Sequence, residues 1–449
     1  MAKCISLGKI NKSLLYVVLL GISNVLNGYI YGFVYIDCFY PMNIYKSFYN
    51  WILDKNKEDF PRHRVFDPLF SYLGVAIISF FFLNKNQDNS IIIEEDEGKR
   101  HYSRYQLIFD VDKGYLSSKR GFIYFILIII LWIAGENLLV IYLDIFKDLD
   151  FWFFELICIS VIFSLKFKFR IPSHRKLGVT ISIIVGSVLK IYNIILSFTS
   201  NSDRFYSKNK GLISFVILYF FLITLRSYVN TEIKIFFDLK YITQKTLLMC
   251  YGLIGFVMCL LTGVFTSNVP CSEGLRGYVC NMVYNEKLYY DNFFNYYESY
   301  KNMLVRLIII VLGLLTYFGY VYFYTLIIKY YTPIHAIFFL PIQYFIEKFF
   351  LLIFTTIFFT DLLLSNGENL SGRFLADIFG DIGSIIGFLI YLEVIELNFC
   401  GLNFNLKKNI IRRGTNDYIE SLLSAGVSGV DNFFPDEEEG EQSIELRSK

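Results

Sequence analysis

The chain has 449 residues, of which 55% are hydrophobic, 19% aromatic and only 18% charged. A soluble domain cannot cover that much apolar surface with polar side chains, so a water-soluble globule is excluded. The net charge of +2 argues against a nucleic-acid partner.

A bilayer span needs about 20 mostly apolar residues. Ten stretches fit that length to within a few residues: 12–34, 65–83, 121–142, 151–165, 178–199, 211–228, 246–267, 303–328, 334–360 and 375–397. Lys3, Lys9 and Lys12 precede the first, which therefore reads as a retained span and not as a cleaved signal. The expected fold is all-α and polytopic, with the lipid bilayer as its first partner. Placing the amino terminus in the cytosol puts both termini there. The cytosolic segments then hold 26 Lys and Arg against 13 on the other side, the bias that the positive-inside rule requires. The short basic segment Lys166–Lys176 is the strongest contributor. Loop 84–120 contains the acidic run Glu94–Glu97, and a mobile cytosolic loop is expected there.

Loop lengths suggest an internal repeat. Split five and five, each half has a long second loop (84–120 and 268–302), a very short third (143–150 and 329–333) and an intermediate fourth (166–177 and 361–374). Five is odd, so equivalent spans run in opposite directions, the inverted arrangement found in many secondary transporters. The expected domains are a first five-span repeat over 1–200, a second over 211–400, and a partly disordered cytosolic tail over 401–449. The tail runs from basic (Lys407, Lys408, Arg412, Arg413) to acidic (Asp436–Glu439). Asn369-Leu-Ser371 is a glycosylation sequon close to two spans, and poor use is expected.

Polar groups inside the spans are few, and a charge at that depth usually faces a cavity or a partner. Asn24 and Asn27 share one face of span 1; they are either solute ligands or interhelical hydrogen-bonding glue. Glu136 and Asn137 lie two-thirds along span 3, Glu155 near the start of span 4, Lys190 and Asn193 past the centre of span 5, and Glu347 beside Lys348 at the middle of span 9. Asp377 and Asp381 open span 10. Carboxylates at the midplane suit a cationic solute or a proton relay, because desolvation penalises their charged form. Glu136 and Lys190 could equally form a buried ion pair, and Glu155 could reach the headgroups.

The stretch His174-Arg-Lys-Leu-Gly178 through Gly186-Ser-Val-Leu resembles the last helix of a five-span unit in the drug/metabolite transporter superfamily, with an echo at Gly380–Tyr391. Thr332-Pro333 through Pro341 resembles that superfamily's penultimate helix, with one proline at its start and another one-third along. The long loop 268–302, with Cys271, Cys280 and an aromatic helical pattern over Leu288–Tyr297, is similar to the chloroquine-resistance-transporter-like branch; the nucleotide-sugar transporters are the other branch in view. That EamA-like resemblance implies ten helices in two inverted repeats, and alternating access. Cys271 and Cys280 share the one non-cytosolic loop with two cysteines, where a disulfide can persist. The four histidines are scattered, so neither a metal nor another cofactor is expected. Catalytic His or Asp pairs at a membrane surface and a nucleotide-binding loop are both absent from the sequence, and no enzyme activity is expected. The sequence thus points to a secondary transporter of a small-molecule solute, with proton coupling left open, as monomer or homodimer. An endomembrane is favoured over the plasma membrane. The alternative is a non-transporting polytopic protein, such as a receptor, scaffold or assembly factor.

Overall fold

The computed structural model describes residues 5–7, 12–34, 66–82, 91–95, 98–102, 115–145, 152–168, 171–200, 212–266, 300–358, 367–399, and positions 401, 402, 406 and 409. Helices occupy all ten apolar stretches. They are α1 (Lys12–Val34), α2 (Phe66–Phe82), α3 (Lys119–Ile145), α4 (Trp152–Phe167), α5 (Ser173–Ser200), α6 (Leu212–Asp238), α7 (Gln244–Thr266), α8 (Tyr300–Tyr330), α9 (Pro333–Ile337) with α10 (Phe339–Phe358), and α11 (Gly367–Tyr391). Four of them are long and apolar enough to cross a bilayer, over Lys119–Leu139, Val216–Asp238, Gln244–Thr262 and Val311–Tyr330. Shorter apolar helices fill Lys12–Asn27, Leu69–Phe81 and Ile378–Tyr391. Large apolar side chains such as Phe81, Leu165, Ile217 and Phe221 point outward, each more than 60% exposed. Hydrocarbon accommodates such side chains without cost, and helices satisfy their own backbone there. The protein is a helical membrane protein.

Three boundaries differ from expectation. Helix α6 continues through 229–238, and nearly all of its residues from Arg226 to Phe237 are buried. Thr231, Glu232 and Lys234 find partners inside the fold, so the stretch is not a loop. Helix α11 starts earlier, at Gly367, which puts Asn369 in its first turn, and it stops at Tyr391. There Glu393 adopts a left-handed backbone (φ 61°) and the Val394 N–H reaches back to the Leu389 carbonyl, turning the chain into a strand. Such a backbone costs a non-glycine residue about 1 kcal/mol, and Arg175, 3.4 Å from the Glu393 carboxylate, helps hold it. The third difference is in loop 84–120, where strands Ile91–Glu95 and Gly98–Tyr102 form an antiparallel hairpin, with Glu94 opposite Lys99.

Broken span 9 has a local cause. Pro333 occupies the first turn of α9, where its missing N–H costs nothing. Pro341 cannot donate to the Ile337 carbonyl four residues earlier, and α9 ends at Ile337.

The chain forms two compact units, each drawing on both halves of the sequence. The first unit comprises Met1–Val18, Phe146–Lys234 and Leu326–Lys449; the second comprises Leu19–Ile145 and Ile235–Thr325. In the first, α5 and α11 pack antiparallel along a seam of small residues. A side chain at Gly178 would strike the Tyr391 backbone, one at Gly186 would press on Trp152, and one at Gly387 would lie 2.7 Å from the Gly178 carbonyl oxygen. The Ser182 hydroxyl donates to the Ser384 carbonyl across the seam at 2.9 Å. Helix α4 runs parallel to α6, with Phe154 against Phe220, Cys158 beside Thr224 and Lys166 bonded to Glu232. Strand Ile5–Leu7 pairs antiparallel with Ile395–Leu397, which brings the start of α1 beside the end of α11. In the second unit, α2 and α7 pack antiparallel, with Gly252 and Gly255 against Tyr72 and Ala76.

Overpacking a tight seam costs about 1–3 kcal/mol. Gly387→Val is therefore expected to lower the thermal midpoint of the purified protein clearly, while Gly401→Ala, whose added carbon meets nothing within 4 Å but whose φ is +74°, is expected to lower it less. Thermal unfolding in lipid nanodiscs measures both.

Candidate functional site

The second unit holds a carboxylate surrounded by aromatic rings. Trp132 and Glu136 are one helical turn apart on α3, which lets the indole Nε1 donate to Glu136 Oε1 at 2.8 Å. Helix α7 supplies Tyr251, whose hydroxyl donates to Oε2 at 2.9 Å. Its oxygen lies 3.0 Å from the Tyr317 hydroxyl of α8. Because the Tyr251 proton is directed at the carboxylate, Tyr317 is the donor of that second bond. The chain Tyr317–Tyr251–Glu136 is thus an ordered hydrogen-bond wire.

Tyr72 of α2 closes the group, edge-on to Tyr251 at 5.3 Å and to Tyr317 at 5.9 Å. It reaches that position because Gly255 has no Cβ; one there would overlap the Tyr72 ring. Asn137 donates its amide to the Tyr72 hydroxyl at 3.2 Å. The Trp132 ring lies 4.3 Å from that of Tyr251. Glu136 is half-buried, whereas Trp132, Tyr72 and Tyr251 are buried. Each carboxylate oxygen accepts from a neutral donor, Trp132 at one and Tyr251 at the other. If the carboxyl takes up a proton it becomes a donor, and the wire can reverse.

In the first unit Glu155 is buried on α4 and paired with Arg226 of α6, Nε to Oε1 at 3.2 Å and Nη1 to Oε2 at 3.4 Å. A buried pairing with Arg226 was not among the expectations for Glu155. Below it Lys166 bonds Glu232 at 2.7 Å and lies over the Tyr228 ring, and Lys234 donates to the Lys329 carbonyl at 2.9 Å. Glu136 and Glu155 belong to different units.

The other expected residues divide as follows. Asn27 lies 3.5 Å from the Thr316 hydroxyl, the outer limit of a hydrogen bond. Asn24 and Glu347 are half-buried on α1 and α10. Asp381 is buried on α11. The side chains of Lys190, Asn193, Lys348 and Asp377, and the whole of Cys271 and Cys280, lie outside the described residues. The sequence did not single out Trp132, Tyr72, Tyr251, Tyr317 or Arg226. The four-residue spacing of Trp132 and Glu136 was a usable signal; the tyrosines, on three other helices, gave none.

A third cluster lies where the ends of α5, α9 and α11 meet in the first unit. Thr332 Oγ1 is 2.8 Å from His335 Nδ1 and 3.2 Å from the Tyr391 hydroxyl. His174, ahead of the predicted span at 178, accepts the Leu397 N–H at Nε2, 3.1 Å. Burial holds this imidazole below its ordinary value, with Arg175 adding to the effect and Glu393 and Glu396 opposing it.

No protein-family model and no curated protein matches this chain.

The His174 arrangement carries a pH dependence. Its folded value lies below its unfolded one, so the neutral form is the stabilised one. That contribution is complete above about pH 6.5 and is lost as pH falls through the folded value. Between about pH 7.5 and 5.5, the thermal midpoint is expected to fall further in the wild type than in His174→Gln, measured by the same unfolding assay.

Proposed function

We propose that this chain is a secondary transporter that moves a small organic solute by alternating access, coupled to protons through Glu136. The observation that carries this is the wire Tyr317–Tyr251–Glu136, with Trp132 on the second carboxylate oxygen. A carboxylate placed among aromatic rings in an apolar helix is costly unless it is used. Of its two donors, the Tyr251 hydroxyl is able to reverse direction when the carboxyl takes up a proton. Protonation would change which of α3, α7 and α8 donates and which accepts, and so would bias the packing of those helices.

Several features of the fold favour ten spans in two inverted halves. Apolar stretches five apart in chain order, α2 with α7 and α5 with α11 (the fifth and tenth, with α9 and α10 counted as the ninth), pack antiparallel along glycine seams. Helices α4 and α6, both even in the order, run parallel. Pairing of Ile5–Leu7 with Ile395–Leu397 puts the start of α1 and the end of α11 on one face, as an even number of crossings between them requires. A glycine seam in the last helix and a proline-broken ninth span accord with the drug/metabolite transporter resemblance. With the termini cytosolic, an endomembrane is the proposed location.

Reconstituted protein should carry out solute flux that rises with a pH gradient, across a panel of amines, amino acids and polyols. Glu136→Gln is expected to retain flux without the gradient response, or to lose flux more than about 10²-fold, the usual scale for removing a proton-transfer group. The absence of flux for any panel member, with Glu136→Gln equal to wild type in cells, would favour the non-transporting alternative.

A further inference from the structure

Helix α6 carries a second polar face, in the first unit, that is not part of the Glu136 group. From Arg226 to Lys234 it places Arg226, Ser227, Asn230, Thr231, Glu232 and Lys234 in the buried interior. Most have identifiable partners. Arg226 pairs with Glu155, Thr231 bonds back to the Ser227 carbonyl at 2.9 Å, Glu232 takes Lys166, and Lys234 takes the Lys329 carbonyl. Asn230 and Ser227 differ. Both are 0% exposed, yet neither polar atom of the Asn230 carboxamide, nor the Ser227 hydroxyl, has a hydrogen bond among the described residues.

The exception is informative because the usual escape is available nearby. Helical Ser and Thr normally bond the carbonyl one turn back, as Thr224 does to Phe220 and Thr231 to Ser227; Ser227 does not. A buried donor or acceptor left unbonded has lost its water without a replacement, and Asn230 holds both kinds. Ser13 and Ser79 also have unbonded hydroxyls, but each is a single group. Asn230 is three residues after Ser227 and four after Arg226, so all three share one face of α6, about 5–6 Å apart. The neighbouring charge is already balanced, since Glu155 forms an ion pair with Arg226 (Nε to Oε1 3.2 Å) and accepts one hydrogen bond from its Nη1. What the face still lacks is a group that donates and accepts while carrying no charge.

We infer that Ser227 and Asn230 form a binding site for an uncharged hydrogen-bonding solute, in which hydroxyl or primary carboxamide groups of the ligand complete the bonds the protein leaves open. Its biological use rests on the transport reading above: the face is closed in this state, and a solute enters it when the carrier opens. The proposal itself concerns binding, so the two can fail separately.

The test uses the full chain in lipid nanodiscs, with thermal unfolding followed against titrated solutes. One arm contains polyols (mannitol, myo-inositol), one primary amides (acetamide, nicotinamide), and a control arm choline and glutarate. A saturable rise in midpoint is expected from the polyol or the amide arm, which tells the two sources apart, and none from the control arm. Asn230→Leu should weaken that response about tenfold or more, the loss of one buried hydrogen bond. It should also raise the midpoint without ligand, because an apolar isostere removes the unbonded amide. Ser227→Ala, which removes one atom, should weaken the response less and serves if the leucine variant does not fold. Three results would overturn the site: no saturable shift from either arm, a response confined to choline or glutarate, or an Asn230→Leu response equal to wild type. A lower ligand-free midpoint in folded Asn230→Leu would do the same, because it would mean that interior water already satisfies the amide. Flux that ignores Asn230→Leu removes the site and leaves transport standing; binding without flux of the bound solute does the reverse.

Discussion

Hydrocarbon supplies no water to a polar atom, and most of this fold is organised by that constraint. Every backbone group must be bonded within its own helix, and every polar side chain that enters the interior needs a partner on another helix or one turn away. The Glu155–Arg226 pair, the Ser182 hydroxyl on the Ser384 carbonyl and the two donors on Glu136 each meet it differently. A buried pair of this kind does not by itself stabilise much, since the desolvation cost can match the attraction. Its effect is to fix which helices can be neighbours. Arg226 pairs with Glu155 and so sets α4 against α6.

Close packing then depends on what is missing from the glycines. Between helices in lipid no hydrophobic effect drives association, so contact area and interhelical bonds do. Gly178 and Gly387 let α5 and α11 approach to backbone contact; Gly252 and Gly255 let α2 seat the Tyr72 ring on α7. The second seam shapes the group around Glu136: with a Cβ at 255 the Tyr72 ring could not stand edge-on to Tyr251 and Tyr317. A packing feature of the α2–α7 pair thereby encloses the carboxylate on α3.

Much of the helical layout was legible in the sequence, because apolar length is a strong signal and all ten stretches are helical. Misread parts share a physical reason. The polar run Arg226–Lys234 looks like a loop when read alone, and is interior only because Glu155, Lys166 and the Lys329 carbonyl, far away in sequence, reach it. The turn at Glu393 has no glycine to mark it and depends on Arg175. Glu136 was identifiable as a charge in an apolar helix, and its neighbour Trp132 by spacing, but Tyr72, Tyr251 and Tyr317 are three of 35 tyrosines. Nothing local distinguishes them from lipid-facing or interfacial rings.

Coupling by protonation asks one thing of Glu136: that it change state within the working pH range while its donors stay in place. The Trp132 indole can only donate, whereas the Tyr251 hydroxyl can donate to a carboxylate or accept from a carboxyl group. Only the Tyr251 side of the group can therefore change direction when the carboxyl takes up a proton. Infrared difference spectroscopy of the protein in lipid, with pH stepped across the neutral range, observes that event directly. The account predicts a protonated-carboxyl band that appears on acidification in the wild type, is absent in Glu136→Gln and is displaced in Tyr251→Phe. An unchanged band in Glu136→Gln, or a Glu136 that stays in one state across the range, would contradict it.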